Sequence, residues 1–342
     1  MIALSPIVSS SNDGDETSQY YCRMTGSGAY AWIRRGGIAG VCFTLLMAPS
    51  LADDVRADCS VAPASYCEAS QAKDKGKDKS KEKAKPRPQK QPADAQRALL
   101  KSAVGRLAPQ RKGVTDLYTI GVAGFADEDV FIKELDGALA SLTKVLPIDD
   151  RVVRLVNRPD TMKTVPLASR DNIAAAMRSV GEVMDKAEDV LILFMTSHGT
   201  RGGFILQLPG QRPVEFAPRE LAKILDSAGI QNRVVIVSAC YSGIFVPPLA
   251  NDNTIVITAA DARNPSFGCA PGREWTYFGD AFFNRALRPG MDLRSSFNRA
   301  RIMISEWELT DALMPSNPQG HFGEALLEKL APVFAAKSGA AR

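Results

Sequence analysis

The apolar positions of this chain fall into short uninterrupted runs separated by longer periodic stretches. Leu117–Ala123, Val152–Val156, Val190–Thr196, Arg233–Ser238 and Thr254–Thr258 are rich in Val, Ile and Leu. Runs of this length, bounded by turn residues, suit strands of a parallel sheet that is covered on both faces. Residues 204–208 read as one more short strand, with the character of a hairpin arm. Between the runs the period changes. Over residues 127–142, apolar side chains recur at Val130, Phe131, Leu135, Leu139 and Leu142, the spacing of one helix face. Ser169 offers an N-cap to a helix reaching about residue 184. Pro218 fits the first turn of a helix over residues 218–227. Residues 96–107, 277–287, 293–308 and 323–333 complete the helical set. Strands and helices in alternation mean βαβ units: an α/β fold with a mostly parallel sheet and helices on both faces. No internal repeat is present.

The first quarter of the chain breaks this pattern. Arg34 and Arg35 precede an apolar stretch over residues 37–49, and Ser50-Leu51-Ala52 puts small residues where a signal peptidase reads them. The stretch falls short of the ~20 residues that span a bilayer. Residues 1–52 are therefore expected to be a leader and signal peptide, and a start at Met24 would give that signal an ordinary length. An N-terminal anchor is the alternative. Residues 53–93 read as a disordered linker, with no side chain large enough for a core around the Lys-rich centre. It is a solvated spacer, a contact for anionic lipid or cell-wall polymer, or a removable pro-segment. Residues 94–342 are expected to form the folded domain. The expected location is outside the cytoplasm, in the periplasm or medium of a bacterium.

Charge changes the picture once the linker is set apart. The net charge is +4, yet residues 73–90 alone hold eight Lys and one Arg against Asp74, Asp78 and Glu82. The remainder is slightly acidic, which argues against nucleic acid as a partner. With 45% hydrophobic residues the chain has ample material for a packed core. The sequence sets no oligomeric state. Beyond the signal, four cysteines remain: Cys59, Cys67, Cys240 and Cys269. Cys59 and Cys67 are close enough to pair in an oxidising compartment. Cys240 and Cys269 are then left free, or paired with each other.

The chemistry gathers at two strand ends. The run from Val190 ends in Ser197-His198-Gly199, and the run from Arg233 ends in Ser238-Ala239-Cys240-Tyr241-Ser242-Gly243. In open α/β sheets, ligands sit beyond such carboxyl ends. The chain has two histidines, and the second, His321, lies in the loop-like Ser316-Asn-Pro-Gln-Gly-His. Small residues around Cys240 clear space for a substrate chain. A neighbouring imidazole favours the thiolate and can later return a proton to a leaving amine. The backbone N–H groups of Gly199 and Cys240 suit an oxyanion hole. Two histidines exclude a His-rich metal site, and no paired Cys-x-x-Cys ligands, phosphate-binding Gly-Lys-Ser/Thr loop or Gly-x-Ser-x-Gly elbow is found. No cofactor or metal is expected at the strand ends, although carboxylate-based calcium binding elsewhere stays open.

A hydrophobic strand ending Ser-His-Gly, followed by one ending Ala-Cys-x-Ser-Gly, resembles the legumain family of cysteine peptidases in the caspase-like superfamily. Thr254–Thr258 with the two alanines after it resembles the family's next strand. Thr276-Tyr-Phe-Gly-Asp280 is similar to its aromatic-Leu-Gly-Asp segment. The resemblance covers roughly residues 117–309. It implies a caspase-like three-layer sandwich with a six-stranded, mostly parallel sheet. It implies endopeptidase action on protein or peptide substrates without a metal, with His198 and Cys240 as the catalytic dyad and Gly199 and Cys240 as the oxyanion hole. Legumains carry an acidic residue two positions before the nucleophile, where this chain has Ser238. They carry Asn and Arg after the first strand, where this chain has Gly124-Phe-Ala-Asp127-Glu128-Asp129. The asparagine pocket of legumain is thus not preserved. Asp127 is a candidate for orienting His198. Ser238, Asp261 and Asp280 are candidates for the substrate pocket, where a carboxylate would select Lys or Arg, unless the two aspartates merely cap turns. Two rival functions are kept: a catalytically silent binding or scaffold module, and an acyl transferase or ligase using the same cysteine.

Overall fold

The computed structural model describes residues 93–339. The expected signal, nearly all of the Lys-rich linker and the Cys59–Cys67 pair lie outside the described residues. The elements run α1 (Ala93–Val104), β1 (Leu117–Ala123), α2 (Val130–Val145), β2 (Val152–Val156), α3 (Arg170–Val183), β3 (Val190–Thr196), β4 (Phe204–Leu206), β5 (Val214–Phe216), α4 (Pro218–Ser227) and β6 (Arg233–Ser238). A 3₁₀ turn (Ser242–Phe245) leads into α5 (Val246–Leu249) and then β7 (Thr254–Thr258). One helical turn, α6 (Tyr277–Gly279), passes into a π-helical stretch (Asp280–Ala286), followed by α7 (Leu293–Thr310), β8 (Gln319–Phe322) and α8 (Glu324–Gly339).

Six strands form one sheet in the order β2-β1-β3-β6-β7-β8. The first five are parallel, and β8 closes the edge antiparallel to β7. The apolar runs are continuous because each strand feeds two cores at once. In β3, Val190, Ile192 and Phe194 enter the layer packed by α2, the π-helical stretch, α7 and α8. Leu191, Leu193 and Met195 enter the opposite layer, packed by α1, α3, α4 and α5. With every position of β3 buried, no polar face is left to produce an alternating pattern. This is the mostly parallel six-stranded sandwich, helices on both faces, that the sequence implies.

Local signals set several boundaries. Ser169 caps α3 by accepting a hydrogen bond from the Asn172 N–H at 3.1 Å, and Pro218 occupies the first turn of α4, where its missing N–H costs nothing. Other boundaries move. The helix expected from residue 127 begins at Val130, because residues 124–129 leave β1 as a loop whose Phe125 bridges to Gln207. The strand expected over residues 204–208 stops at Leu206 and pairs with β5 in a separate two-stranded hairpin. The sixth strand of the main sheet is β8, in the segment read as a loop, and His321 lies within it. Its Nε2 meets the Asn251 carbonyl oxygen at 3.0 Å. The sequence Gln-Gly-His-Phe carries no apolar run, since an exposed edge strand is held by main-chain pairing to β7 rather than by burial.

Candidate active site

The register of two neighbouring strands brings together the two segments that carry the key side chains. β3 and β6 pair with Thr196 opposite Ser238, and the Ser197 N–H reaches the Ser238 carbonyl at 3.2 Å. His198 and Cys240 each stand two residues beyond that last pair, at the carboxyl edge of the sheet. The two loops touch through backbone. A Cβ on Gly199 would fall 2.1 Å from the Cys240 carbonyl oxygen, so no side chain fits there without parting the two segments. Tyr241 then turns the chain sharply with φ 57°, a left-handed conformation that costs a non-glycine residue ~1–2 kcal/mol. Its N–H is held by the Asn264 carbonyl at 3.0 Å, and the Arg201 guanidinium lies 5.6 Å from its ring centre. Among the described residues, no backbone carbonyl accepts from the N–H of Gly199 or of Cys240.

The imidazole of His198 is fixed on three sides. Phe125 and Phe131 meet it edge-on, with centroids 4.5 and 5.0 Å away. Its Nε2 lies 3.0 Å from Glu128 Oε1. The side chains are one-third and one-fifth exposed, so water screens this pair only in part. Asp127, the residue singled out in the sequence, faces elsewhere and accepts from Gln207 Nε2 at 2.9 Å. The acidic triplet at residues 127–129 was the available signal. Which of its members faces His198 depends on the path of the loop leaving β1, and a sequence does not show that path.

Cys240 carries a free thiol, and Ser266 meets its sulfur with both an acceptor and donors, the thiol facing the Ser266 carbonyl oxygen at 3.4 Å. The Ser266 N–H reaches Sγ at 3.3 Å and the Ser266 hydroxyl at 3.7 Å. The Cys269 thiol, also free, is a neighbour that acts on the same sulfur. These contacts lower the Cys240 thiol to about 6: Cys269 contributes most, burial opposes it, and Ser266 and the charge of His198 add to the fall. Cys269 moves the other way, raised by its neighbour Cys240 and by its own burial. Cys240 and Cys269 are thus neighbours as separate thiols. Sequence reasoning considered the two together only as a disulfide pair. Ser266 lies in a connection with no periodicity and carried no signal.

The remaining pocket candidates sit in different company. Ser238 is buried, and its hydroxyl donates to Glu134 Oε1 at 3.2 Å. Asp261 accepts from the N–H groups of Arg263 and Asn264 and from the side chains of Asn264 and Asn317. It therefore closes the turn after β7, and those hydrogen bonds lower its carboxyl although burial works against them. Asp280 pairs with Arg285 at 3.0 Å and accepts from Asn284. Among the described residues no cluster of His, Cys, Asp and Glu could hold a metal ion.

The profile of the Peptidase C13 family, the legumain family, matches residues 117–321, more than half of the chain and every element from β1 to most of β8. The chain belongs to the Peptidase C13 family. No curated protein matches it. Among solved structures, the crystal structure of caspase-1 from Spodoptera frugiperda is similar with a TM-score of 0.44 and 13% identity, over 63% of this chain and 90% of that one. Membership implies protein or peptide as the substrate class. The departures noted in the sequence now have places in space. Where the family has an acid before the nucleophile, this C13 chain has a buried hydroxyl facing Glu134. Where the family has Asn and Arg after the first strand, it has a loop that sends Glu128 to the histidine.

Proposed function

We propose that the protein is a cysteine endopeptidase working through Cys240, with His198 as proton carrier and Glu128 as the group that orients it. The observation that carries this is the Cys240 thiol, drawn down to about 6 at a strand end beside an imidazole that Glu128 holds by Nε2. With Nε2–H directed to Glu128, Nδ1 is the nitrogen left for exchange with the thiol. In the proposed reaction the thiolate sulfur attacks the scissile carbonyl carbon. A C–S bond forms, and the carbonyl π pair moves onto oxygen. The N–H groups of Gly199 and Cys240, free of backbone acceptors, suit that oxyanion. Collapse restores the carbonyl and breaks the C–N bond, with the proton held by His198 passing to the departing amine. Water then attacks the thioester carbon as His198 takes its proton, the C–S bond breaks, and the acid product leaves, restoring the Cys240 thiolate and the proton on His198.

The test is labelling of the purified protein with an irreversible peptidyl thiol probe at near-neutral pH, with Cys240→Ala and His198→Ala beside it. The expected result is labelling that vanishes in Cys240→Ala and falls at least ~100-fold in His198→Ala. Wild type that stays unlabelled, or labels equally well without His198, would reject the dyad and leave a binding module as the better reading.

A further inference from the structure

One buried carboxyl takes no part in the chemistry described so far. Glu134 lies on α2, 0% exposed, and is the one charged residue on that helix's buried face. Hydrophobic residues fill the positions around it, and an apolar side chain there would avoid the cost of desolvating a carboxyl. Burial raises the Glu134 carboxyl, and hydrogen bonds from hydroxyls offset part of that rise. The identity of the donors is informative. Thr196 Oγ1 meets Oε2, while Ser238 Oγ and Thr276 Oγ1 meet Oε1. Ser238 and Thr276 also lie 3.3 Å apart, and Thr276 Oγ1 accepts the Gly279 N–H at 3.0 Å.

Each donor stands at the root of a segment that carries a residue of the candidate site. Thr196 ends β3, two residues before His198. Ser238 ends β6, two residues before Cys240. Thr276 ends the connection that carries Ser266, whose N–H reaches the Cys240 sulfur at 3.3 Å, and Cys269, which lowers that thiol. The space around the carboxyl is also kept clear: a Cβ on Gly279 would fall 2.0 Å from Glu134 Oε1. Three segments from different parts of the chain therefore share one acceptor.

We propose that Glu134 is a positioning residue, which sets where His198, Cys240 and Ser266 stand relative to one another by tying the ends of β3, β6 and the 266–276 connection to a single carboxyl. The inference rests on the cysteine-peptidase reading above. Small displacements among reacting groups are costly, with ~1 Å enough to remove ~100-fold in rate.

The experiment uses the full chain and Glu134→Gln, which keeps the shape but replaces one accepting oxygen with a donor. Alkylation of Cys240 by iodoacetamide is followed across pH by peptide mapping, beside peptidyl-probe labelling and thermal unfolding. Ile236→Val, a trimmed core residue of β6, serves as the control for lost stability alone. The expected result is a folded Glu134→Gln protein whose Cys240 labels at least ~10-fold more slowly, with the alkylation midpoint moved to higher pH, while Ile236→Val keeps the wild-type rate and midpoint. Glu134→Gln with wild-type rate and midpoint, whatever its melting temperature, would overturn the inference. If Glu134→Gln does not fold, Thr196→Val and Thr276→Val each remove one hydroxyl and are expected to slow labelling and raise the midpoint; wild-type values in both would overturn it. A wild-type protein that does not label at all sinks the peptidase reading, and this inference with it. A wild type that labels beside an unaffected Glu134→Gln sinks this inference alone.

Discussion

Glu128 and Glu134 are six positions apart, one in the loop before α2 and one inside it, and the fold makes opposite use of them. Glu128 is partly open to solvent and meets a ring nitrogen of His198 directly. Glu134 is sealed from solvent and is answered by hydroxyls on three segments. A carboxylate beside an imidazole acts on the charge and tautomer of that ring. A carboxyl surrounded by hydroxyls has no charge to neutralise and acts through the backbones to which the hydroxyls belong. The same side chain is thus a chemical group in one place and a structural joint in the other, and burial with partner type decides which.

The contrast can be tested on stability first, where the difference is largest. Glu134→Ala would leave three buried hydroxyls without their acceptor and open a cavity, a loss of ~3 kcal/mol or more. Denaturant unfolding of Glu134→Ala and Glu128→Ala side by side reads this directly. Glu128→Ala is expected to cost under ~1 kcal/mol, because its pair is partly exposed. Equal losses would erase the distinction.

On reactivity Glu128 matters without a matching loss of stability. Glu128→Ala should keep the fold yet slow peptidyl-probe labelling of Cys240 by ~10-fold or more, because the imidazole loses the partner that fixes its tautomer. Asp127→Asn should label like wild type, since its carboxylate faces Gln207. If Asp127→Asn were the slower of the two, the assignment of Glu128 to His198 would fall.

The smallest expected effect sharpens the comparison from the middle, at Cys269, whose thiol is raised chiefly by its neighbour Cys240 and by burial. A thiol with a lowered pKa is a thiolate above its midpoint and unreactive below it, so alkylation of Cys240 should rise as pH passes about 6 rather than 9. Cys269→Ala removes the neighbour that lowers that thiol most. The thiol form gains in relative terms, and the rate-against-pH curve moves to higher pH. A curve that stays in place would show that Ser266 and His198 suffice.

Much of the fold was legible because burial writes itself into composition. β1, β3, β6 and β7 lie in the sheet interior, and their apolar runs could be read directly. Two strands were missed for a matching reason. β5 and β8 are short and largely exposed, and main-chain pairing rather than side-chain burial defines them. The π-helical stretch after Gly279 reads as an ordinary helix by its periodicity. The positions of His198 and Cys240 followed from their place at the ends of two apolar runs. Glu128, Ser266 and Glu134 did not, because each acts across a long separation in sequence.

By itself the sequence determined the α/β class, the runs that become the central strands and the two residues placed at their carboxyl ends, because local hydrophobic patterning and strand length are properties of neighbouring residues. The tertiary structure alone decided which acid meets His198, which groups meet the Cys240 sulfur, and that a carboxyl on α2 joins the ends of β3 and β6. Those contacts depend on strand order, register and loop path, and only the packed chain fixes them.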